Sequence, residues 1–481
     1  MADPKHTVEK IGGTSMSRLP ELRDTLFARG PGGDGPYQRI FVVSAFGGIT
    51  DLLLEHKKTG APGVYRHFAD GEGDHAWHEA LDTAAAAMRE THLGILEESA
   101  DQKDADDFLR ERIEGVRSCL IDLRRLCSYG HFRLTQHMML VRELLAGLGE
   151  AHSAFVATTL LRRAGINARF VDLSGWRDEA EVTLGERIAH AFDDVDLESE
   201  MPIVTGYAQC SEGLMREFDR GYSEVTFSRI AAHTGAREAI IHKEFHLSSA
   251  DPRLVGEDAV RKIGHTNYDV ADQLSNMGME AIHPKAAKTL RRASIPLRVT
   301  NAFDLDDPGT LIDEQDADTA KVEIVTGLGV VALRLFEQDM VGVKGYDQKI
   351  LEILTKHRIR IVSKSTNANT ITHYLDGSLK AIRRAEQDLN AVFDTAEVTV
   401  QKLALVSVIG RSLDGLNAAE TGLGALREAG LSPLAVQHLP GSVDVQFLLN
   451  RADEEAAVKA LHRKLVETER HSAPARIAAA A

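Results

Sequence analysis

The sequence predicts an α/β fold: a sandwich with a central, mostly parallel sheet, followed by two ferredoxin-like α+β units. Short β-rich runs alternate with helical stretches over the first part of the chain, which is typical of βαβ units in a sheet covered on both faces. Beyond residue 320 the units become shorter and repeat the order β-α-β-β-α. At 481 residues the chain is too long for one hydrophobic core, so several domains are expected.

The N-terminal region predicts the first strand–loop–helix units. An extended segment, 6–10, runs into Lys10-Ile11-Gly12-Gly13-Thr14-Ser15, and a short strand, 39–44, leads to a glycine turn at 45–51. Glycines let backbone N–H groups approach an anion closely and a lysine adds a point charge, which favours phosphate binding. The same composition is also ordinary for a turn. The long helical region 74–149 is predicted to pack as an insert on this first domain.

The first domain is predicted to span residues 1–303. Its remaining strands and helices are predicted at 151–164, 168–173, 201–206, 222–234, 238–242 and 297–301. Residues 304–320 are acidic and contain Pro308 and Gly309, which predicts an interdomain linker. Asp304 and Asp306 have the spacing of a calcium loop, but the later ligands and the central glycine do not fit.

The C-terminal region is predicted to hold a first ferredoxin-like unit at 321–397 and a second at 398–470. The run 324–335 is predicted to be a strand pair that precedes the first unit and could complete the second. The first unit's own first strand is predicted at 340–344, and residues 471–481 are predicted to be a disordered tail.

Composition excludes several classes of function. The chain has 56 basic and 72 acidic residues, and this net charge of −16 argues against nucleic-acid and anionic-membrane partners. No apolar run reaches membrane-spanning length, and the charged N-terminus lacks a signal-peptide core. The three cysteines have no metal-type spacing. We therefore expect a cytoplasmic protein with reduced thiols and no metal site built from protein ligands.

Together these motifs resemble the aspartate kinases of the amino-acid kinase family, over residues 10 to 465. The first loop is similar to the family's Lys-Phe-Gly-Gly-Thr-Ser, and Ala250-Asp251-Pro252-Arg253 equals its Ala-Asp-Pro-Arg. Two ferredoxin-like ACT units after the kinase domain are also typical of that family. The other matching segments are Val42-Val43-Ser44-Ala45 with Thr50, Gly149-Glu150 (a pair that opens a helix in the family), Arg220-Gly221-Tyr222-Ser223, His283-Pro284 and Pro308-Gly309-Thr310.

The sequence departs from the family pattern around the nucleotide. Glu224 stands at a family aspartate, the run 242–246 replaces Thr-Asp-Val-Asp-Gly, and Glu280 replaces a nucleotide-contacting lysine. Lys243 could take over the role of that lysine. In these features the chain is similar to the divergent aspartokinases that accompany ectoine biosynthesis genes.

The resemblance implies transfer of the ATP γ-phosphoryl group to the β-carboxylate of L-aspartate, with Mg²⁺ on the phosphates. The acceptor is already an anion, so alignment and charge neutralisation should dominate catalysis. A homodimer and an amino-acid effector at the ACT units are also implied. The implied catalytic residues are Lys10, Glu150, Arg220 and Glu224. Aspartate would be held by Ser44, Thr50, Glu150, Arg220 and Ser223, and the nucleotide by Lys10, Gly12, Gly13, Ser15, His242, Lys243, Ser248, Arg253 and Glu280.

Other interpretations stay open at this point. Taken alone, Glu150 fits the first turn of a helix, Arg253 a turn, and Ser44 a helix N-cap. The altered nucleotide loop would also fit a non-catalytic, amino-acid-binding regulatory subunit, against which stand the retained Lys10, Glu150, Arg220 and Arg253. A kinase for another small carboxylate, such as glutamate, is a third possibility, although paired ACT units argue against it.

Overall fold

The computed structural model describes residues 5–29, 35–57, 59–71, 74–217, 221–279, 282–315 and 320–467. Within these ranges the chain divides into two compact units, one made of residues 5–247 with 282–314 and one made of 248–279 with 315–467. The segment 248–279, predicted to lie in the first domain, thus belongs to the second unit. The predicted tail 471–481 lies outside the described residues.

The helices and strands are numbered here in chain order. The strands are β1 (Thr7–Ile11), β2 (Arg39–Val43), β3 (Ala168–Val171), β4 (Met201–Thr205), β5 (Glu238–Lys243), β6 (His265–Asn267), β7 (Leu297–Asn301), β8 (Thr310–Asp313), β9 (Lys321–Phe336), β10 (Arg360–Thr366), β11 (Thr370–Asp376), β12 (Glu397–Arg411), β13 (Ala435–Gln437) and β14 (Asp444–Asn450). The α-helices are α1 (Gly13–Met16), α2 (Leu19–Leu22), α3 (Ile49–Leu53), α4 (Val64–Asp70), α5 (Asp74–Ile95), α6 (Ser99–Ser128), α7 (Met138–Arg163), α8 (Leu184–Phe192), α9 (Leu214–Glu217), α10 (Tyr222–Thr234), α11 (Pro252–Val255), α12 (Tyr268–Asn276), α13 (Pro284–Arg292), α14 (Tyr346–Lys356), α15 (Leu379–Val392), α16 (Ala418–Glu428) and α17 (Glu454–His462). Short 3₁₀ turns lie at Leu134–Gln136, Gln338–Met340, Leu413–Leu416 and Arg451–Asp453, and π turns at Arg23–Phe27 and Arg463–Glu467.

The sheet of the first unit runs in the order β3-β4-β2-β1-β5-β7-β8. Its strands are parallel up to β7, and β8 pairs antiparallel with β7. Every residue of β2 and β4 is buried, as expected for parallel strands with helices on both faces. The predicted mostly parallel sheet is confirmed, and the carboxyl ends of β4, β2, β1 and β5 lie side by side at one edge.

The pair Gly149-Glu150 lies in the middle of α7, so the prediction that it opens a helix was wrong. The helix begins at Met138, because apolar residues at helical spacing continue through the glycine and α7 packs against β3 and β4. By length and composition α7 could cross a membrane, but 83% of its apolar window is buried within the fold. It is a core helix of the first unit.

The predicted linker, 304–320, contains a strand in its middle. Thr310–Asp313 forms β8, whose Thr310 and Ile312 are buried while Leu311 and Asp313 are half-buried. This alternation is typical of a strand with one face on the core, and β8 pairs antiparallel with β7. The prediction of a linker was wrong for these residues, because the surrounding acidic composition concealed so short a strand.

The sheet of the second unit is antiparallel, in the order β10-β11-β9-β12-β14-β13. The long strands β9 and β12 each serve both ferredoxin-like units. The later part of β9 pairs with β11, the later part of β12 pairs with β14, and β9 and β12 pair with each other along their whole length. Each ferredoxin-like unit has its own hydrophobic core. The core of the first contains Leu333 and Leu389, and the core of the second contains Val325 and Phe447. The two ferredoxin-like units are confirmed.

Two strand predictions near the start of this unit were wrong in detail. The run 324–335 is one continuous strand within β9, not a strand pair. Met340 ends a 3₁₀ turn and residues 341–344 are irregular chain, with Val341 and Val343 exposed. The later part of β9 takes the place of the predicted strand, since it supplies the buried Leu333 and Leu335.

Candidate active site

Lys10 lies at the carboxyl edge of the first unit's sheet, as the penultimate residue of the central strand β1. Its Nζ is 3.4 Å from Oε1 of Glu224, and both side chains are nearly buried. Glu224 is in the first turn of α10. The pair therefore joins the end of β1 to the start of a helix at the edge where parallel sheets bind ligands.

The Glu224 carboxylate is held in its ionised form. Burial by itself would raise the pKa of this carboxyl, but Lys10 and Lys243 beside it outweigh that effect and lower the pKa. The backbone N–H of His283 donates to Oε2 over 2.5 Å. Glu224 is thus an ionised, buried carboxylate whose charge is balanced by Lys10 and Lys243.

Glu150 and Ser223 form a neighbouring, buried polar site. The Ser223 hydroxyl donates to Oε1 of Glu150 over 2.7 Å, whereas Oε2 is buried and has no hydrogen-bond partner among the described residues. Burial raises the pKa of Glu150 to about 8, despite the opposing effects of Ser223, Lys10 and the backbone N–H groups of Tyr207 and Ala45. Gly206, at the end of β4, permits this approach, because a Cβ there would lie 2.7 Å from Cβ of Ser223. A buried acid with a raised pKa and a free oxygen is poised to receive a cationic group.

The glycine loop after β1 packs tightly on one side and is open on the other. A Cβ at Gly13 would lie 2.5 Å from the carbonyl oxygen of Ala45, whereas one at Gly12 would have no atom of the described residues within 4 Å. The Ser15 hydroxyl is buried and donates to Oε1 of Glu244 over 2.6 Å. Gly12 therefore fits close approach of an anion, and Ser15 ties the loop to the residue after β5.

Ser44 and Thr50 lie on the next loop along the sheet edge. Ser44 follows β2 and its carbonyl oxygen accepts from the hydroxyl of Ser153 on α7 over 2.8 Å. Thr50 is the second residue of α3. The side chains of Ser44 and Thr50 are half-buried. These two hydroxyl groups therefore follow β2 at the same edge as Lys10.

His242 lies on the other face of the sheet from Lys10. In-register residues of parallel strands share a face, and Lys10 pairs with Ile241 whereas His242 pairs with Ile11. The imidazole Nε2 is 2.7 Å from Oε2 of the fully buried Glu9, which also accepts hydrogen bonds of 2.6 and 2.7 Å from Arg39. Arg39 holds the pKa of Glu9 well below its usual range, although burial alone would raise it. The histidine predicted to contact the nucleotide thus belongs to a buried ionic network beneath the site.

This network supports a stability prediction. Glu9→Gln leaves Arg39 buried without its counter-ion, so we expect a loss of about 3–5 kcal/mol in the free energy of unfolding. Chemical denaturation at neutral pH measures it. Since the pKa of Glu9 is lowered by folding, its stabilising contribution is present above its unfolded-state pKa and is lost as the pH falls below it.

Glu21→Gln is the matched control. It removes the partner of Arg18 in an exposed ion pair, so the expected change is below about 1 kcal/mol. Equal destabilisation by the two variants would contradict the importance assigned to the buried network.

The remaining predicted contacts lie in the second unit or outside the described residues. Ser248 and Arg253 lie in the second unit, where the Ser248 hydroxyl donates to the carbonyl of Ala250 and Arg253 pairs with Asp251. Arg220 and Glu280 lie outside the described residues. The proposed exchange of roles between Lys243 and Glu280 therefore stays a prediction.

One group of possible metal ligands occurs in the described part of the first unit: His246, Asp304 and Asp307. Nε2 of His246 is 3.0 Å from Asp304, and Nδ1 is 3.6 Å from Asp307. The two carboxylates face opposite nitrogens of one ring. That arrangement is typical of an imidazole held between two acids, and it ties the turn after β7 to the loop after β5.

Comparison with known proteins identifies the family. The model of the amino acid kinase family matches residues 5–301. This chain belongs to the amino acid kinase family. It is 51% identical to the aspartate kinase Ask_Ect of Stutzerimonas stutzeri, covering 97% of this chain and 98% of that protein. It is 25% identical to the chloroplastic aspartokinase 1 of Arabidopsis thaliana, covering 96% and 80%.

Solved structures show that this amino acid kinase shares its fold with aspartokinases. Escherichia coli aspartokinase III in complex with lysine and aspartate matches with a TM-score of 0.71 at 20% identity, covering 96% of this chain and 99% of that one. The same enzyme with aspartate and ADP matches with a TM-score of 0.70 at 20% identity, covering 96% and 100%.

Sequence reasoning missed several residues of this amino acid kinase's site. Gly206 ends the strand predicted at 201–206 and Glu244 lies just beyond the strand predicted at 238–242, so their place at the carboxyl edge was the available signal. Glu9 and Arg39 stand as charges within apolar strand runs, which signals a buried ion pair but does not identify the partners.

Proposed function

We propose that this chain is an aspartate kinase, which transfers the γ-phosphoryl group of ATP to the β-carboxylate of L-aspartate and forms 4-phospho-L-aspartate. The observation that carries the proposal is the first turn of α10. Its consecutive residues Ser223 and Glu224 contact Glu150 and Lys10 respectively. One helix end therefore joins an acid suited to an ammonium group and a lysine suited to a phosphoryl group.

The amino-acid side of the reaction fits the Glu150 site. Aspartate carries one ammonium and two carboxylates, and the buried, unpartnered Oε2 of Glu150 would accept from the ammonium. Ser44, Thr50 and Ser223 would add hydroxyl donors, and Arg220 would bind the α-carboxylate through a bidentate pair. Binding at both ends of the amino acid would leave its β-carboxylate for the phosphoryl group.

The phosphoryl side fits the Lys10 site. Transfer between two anions needs positive charge that is present before the reaction starts. Lys10 and Lys243 supply it, and the Glu224 carboxylate keeps Lys10 in place between turnovers. The β-carboxylate is its own nucleophile, so no general base is required. The open side of the Gly12 loop would receive the phosphate oxygens.

Magnesium is compatible with the residues present. Mg²⁺ keeps mostly water and phosphate ligands, and the side-chain oxygens of Glu224 and Glu244 are donors of the kind that it prefers. When bound to ATP, the ion would neutralise phosphate charge. Every other contact proposed here is made by the chain itself.

Family membership and 51% identity to a protein named as an aspartate kinase support catalysis over a purely regulatory role. The resemblance to aspartokinases that accompany ectoine biosynthesis genes supports a place in that pathway. We further propose a cytoplasmic homodimer that binds an amino-acid effector at its ferredoxin-like units. These finer proposals follow from the resemblance.

The activity is tested on the full chain with ATP, Mg²⁺ and L-aspartate, with hydroxylamine to trap the acyl phosphate. We expect aspartyl hydroxamate with aspartate and a far lower yield with L-glutamate. If no hydroxamate forms while calorimetry still detects aspartate binding, the chain is a regulatory subunit. Preferential glutamyl hydroxamate would instead make it a kinase for a different carboxylate.

A further inference from the structure

Exposed apolar side chains are concentrated at one end of the helical insert of the first unit. We call this end the insert tip, residues 118–140: the last turns of α6, the loop after it and the start of α7. It holds five of the fourteen large apolar side chains that are exposed in the described residues: Ile121, Leu126, Tyr129, Phe132 and Leu140. Their exposed fractions lie between 42% and 70%. A cluster of this kind marks an interaction surface.

The outer face of α6 forms a regular stripe at the insert tip. Ser118, Asp122, Arg125 and Tyr129 follow one another at intervals of four, three and four residues, so they lie on one side of the helix, and all four are exposed. The opposite side of the same turns, which carries Leu120, is buried in the chain's own fold. The described part of the chain therefore leaves this helix face uncovered.

The two charges of the stripe are available to a partner. Earlier on α6, Arg117 forms an ion pair of 2.6 Å with Asp82. The side chains of Asp122 and Arg125, by contrast, have no ion-pair or hydrogen-bond partner among the described residues. They also do not pair with each other, although they are three residues apart on one helix.

A notch lies beside the stripe, between α6 and α7. Its volume is about 170 Å³, and its walls include Cys119, Leu123 and Leu140. Leu126 is seven residues after Cys119, so it lies on the same flank of the helix, two turns further along. The insert tip thus presents both an exposed apolar side chain and an apolar notch on one flank.

We propose that two copies of this chain pair through their insert tips, with the two α6 helices antiparallel across a two-fold axis between Leu123 and Arg124. Such a contact needs a surface that is complementary to itself. Residues equally far from the axis in opposite directions face each other. Asp122 therefore faces Arg125 of the partner subunit, and the symmetry makes this ion pair twice.

The same axis brings the apolar groups together. Ser118 faces Tyr129 of the partner subunit, so a small side chain lies opposite a large one. Leu126 of the partner subunit comes within about 3 Å of the level of Cys119 along the helix, and so reaches the notch. A partner that presented charge of a single sign would instead place a like charge against either Asp122 or Arg125. A second copy of the chain is the occupant that satisfies both.

This inference does not depend on the proposed activity, because it uses only the surface of the insert. It concerns a contact made by the first unit, away from the ferredoxin-like units of the chain. If the chain also pairs at another surface, the contact at the insert tip doubles the size of that assembly.

The test exchanges the two charges across the axis and measures the mass of the full chain by sedimentation velocity. Asp122→Arg sets arginine against Arg125 of the partner subunit, and Arg125→Asp sets two aspartates against each other. Because like charges in an interface repel, each single variant should halve the mass of the assembly at micromolar concentration. The double variant D122R/R125D restores opposite charges and should recover the mass of the unmodified chain.

Two further variants serve as controls. Lys103→Glu makes the same change of charge as R125D in an exposed residue of the same helix, about 30 Å from the axis, and should leave the mass unchanged. Leu126→Ala removes the side chain that enters the notch without altering charge, and should raise the dissociation constant at least tenfold. Circular dichroism should be the same for all variants, since the altered residues are on the surface.

An unmodified chain that sediments as a monomer at micromolar concentration would overturn the proposal. So would an assembly whose mass is the same in both single variants, which would leave the insert tip to a different protein. If the double variant dissociates as fully as the single ones, the antiparallel register is wrong. Loss of aspartyl hydroxamate has no bearing on this result, so failure of the proposed function is distinguishable from it.

Discussion

Lys10→Met is expected to lower kcat about 10²–10³-fold, with a much smaller change in the KM for aspartate. Methionine keeps the length and apolar stem of lysine but removes the charge that faces the transferring phosphoryl group. Removing one preorganised electrostatic donor from an active site typically costs this much. Steady-state hydroxamate kinetics measure the effect, since the loss should appear in kcat and kcat/KM alike.

The control is Lys288→Met, which removes an exposed lysine on α13. It should leave both parameters unchanged. A Lys10→Met enzyme with kcat within about twofold of the unmodified chain would remove Lys10 from the phosphoryl site. Circular dichroism must accompany the kinetics, because the variant leaves Glu224 buried with one lysine fewer beside it.

Glu150→Gln is expected to raise the KM for aspartate about 10–100-fold. The amide keeps the shape of the side chain but loses the charged hydrogen bond to the ammonium, an interaction worth about 1.5–3 kcal/mol. Calorimetric titration with aspartate measures the loss in binding directly. Unchanged affinity would show that the ammonium binds elsewhere.

The pKa of about 8 for Glu150 adds a second signature to the same variant. Without aspartate the carboxyl is mostly protonated at neutral pH, and the arriving ammonium favours its ionised form. Aspartate binding should therefore release up to one proton per site near pH 7. Calorimetry in buffers of different ionisation enthalpy detects this proton, and it should vanish in Glu150→Gln.

The raised pKa of Glu150 also determines how the free energy of unfolding changes with pH. A carboxyl whose pKa rises on folding binds its proton more tightly in the native state, so without ligand its contribution to stability declines as the pH rises from 4.5 to about 8. Saturating aspartate should flatten this decline. A denaturation series across that range, with and without aspartate, measures it.

Much of this organisation could be predicted from the sequence because it is encoded locally. The helix predicted at 222–234 is observed as α10 with the same ends, and the strand at 297–301 is observed as β7. Motif resemblance selected Lys10, Glu150 and Ser223, which the fold then brings close together. Patterns of this kind depend on a few consecutive residues, so one sequence suffices to read them.

The features that escaped prediction depend on residues far apart in the chain. Nothing near Glu9 indicates that its partners are Arg39 and His242, because strand order decides which charges meet. Likewise, the motif that follows Ser249 resembles one in the kinase domain of the family. The hydrogen bond between Ser249 and His462 nevertheless holds this segment within the second unit. The partners of Glu9 and the placement of Ser249 depend on tertiary contacts, which the local sequence does not reveal.

The sharing of β9 and β12 between two ferredoxin-like units has a consequence for how the chain is made. Lys321 at the start of β9 pairs with Arg411 at the end of β12, so the first part of β9 has no strand neighbour in this sheet until β12 has left the ribosome. The two ferredoxin-like units therefore cannot fold independently, one after the other, during synthesis. We expect them to unfold in one cooperative transition, and a truncation after residue 397 should yield an aggregation-prone remnant with an unpaired β9 edge.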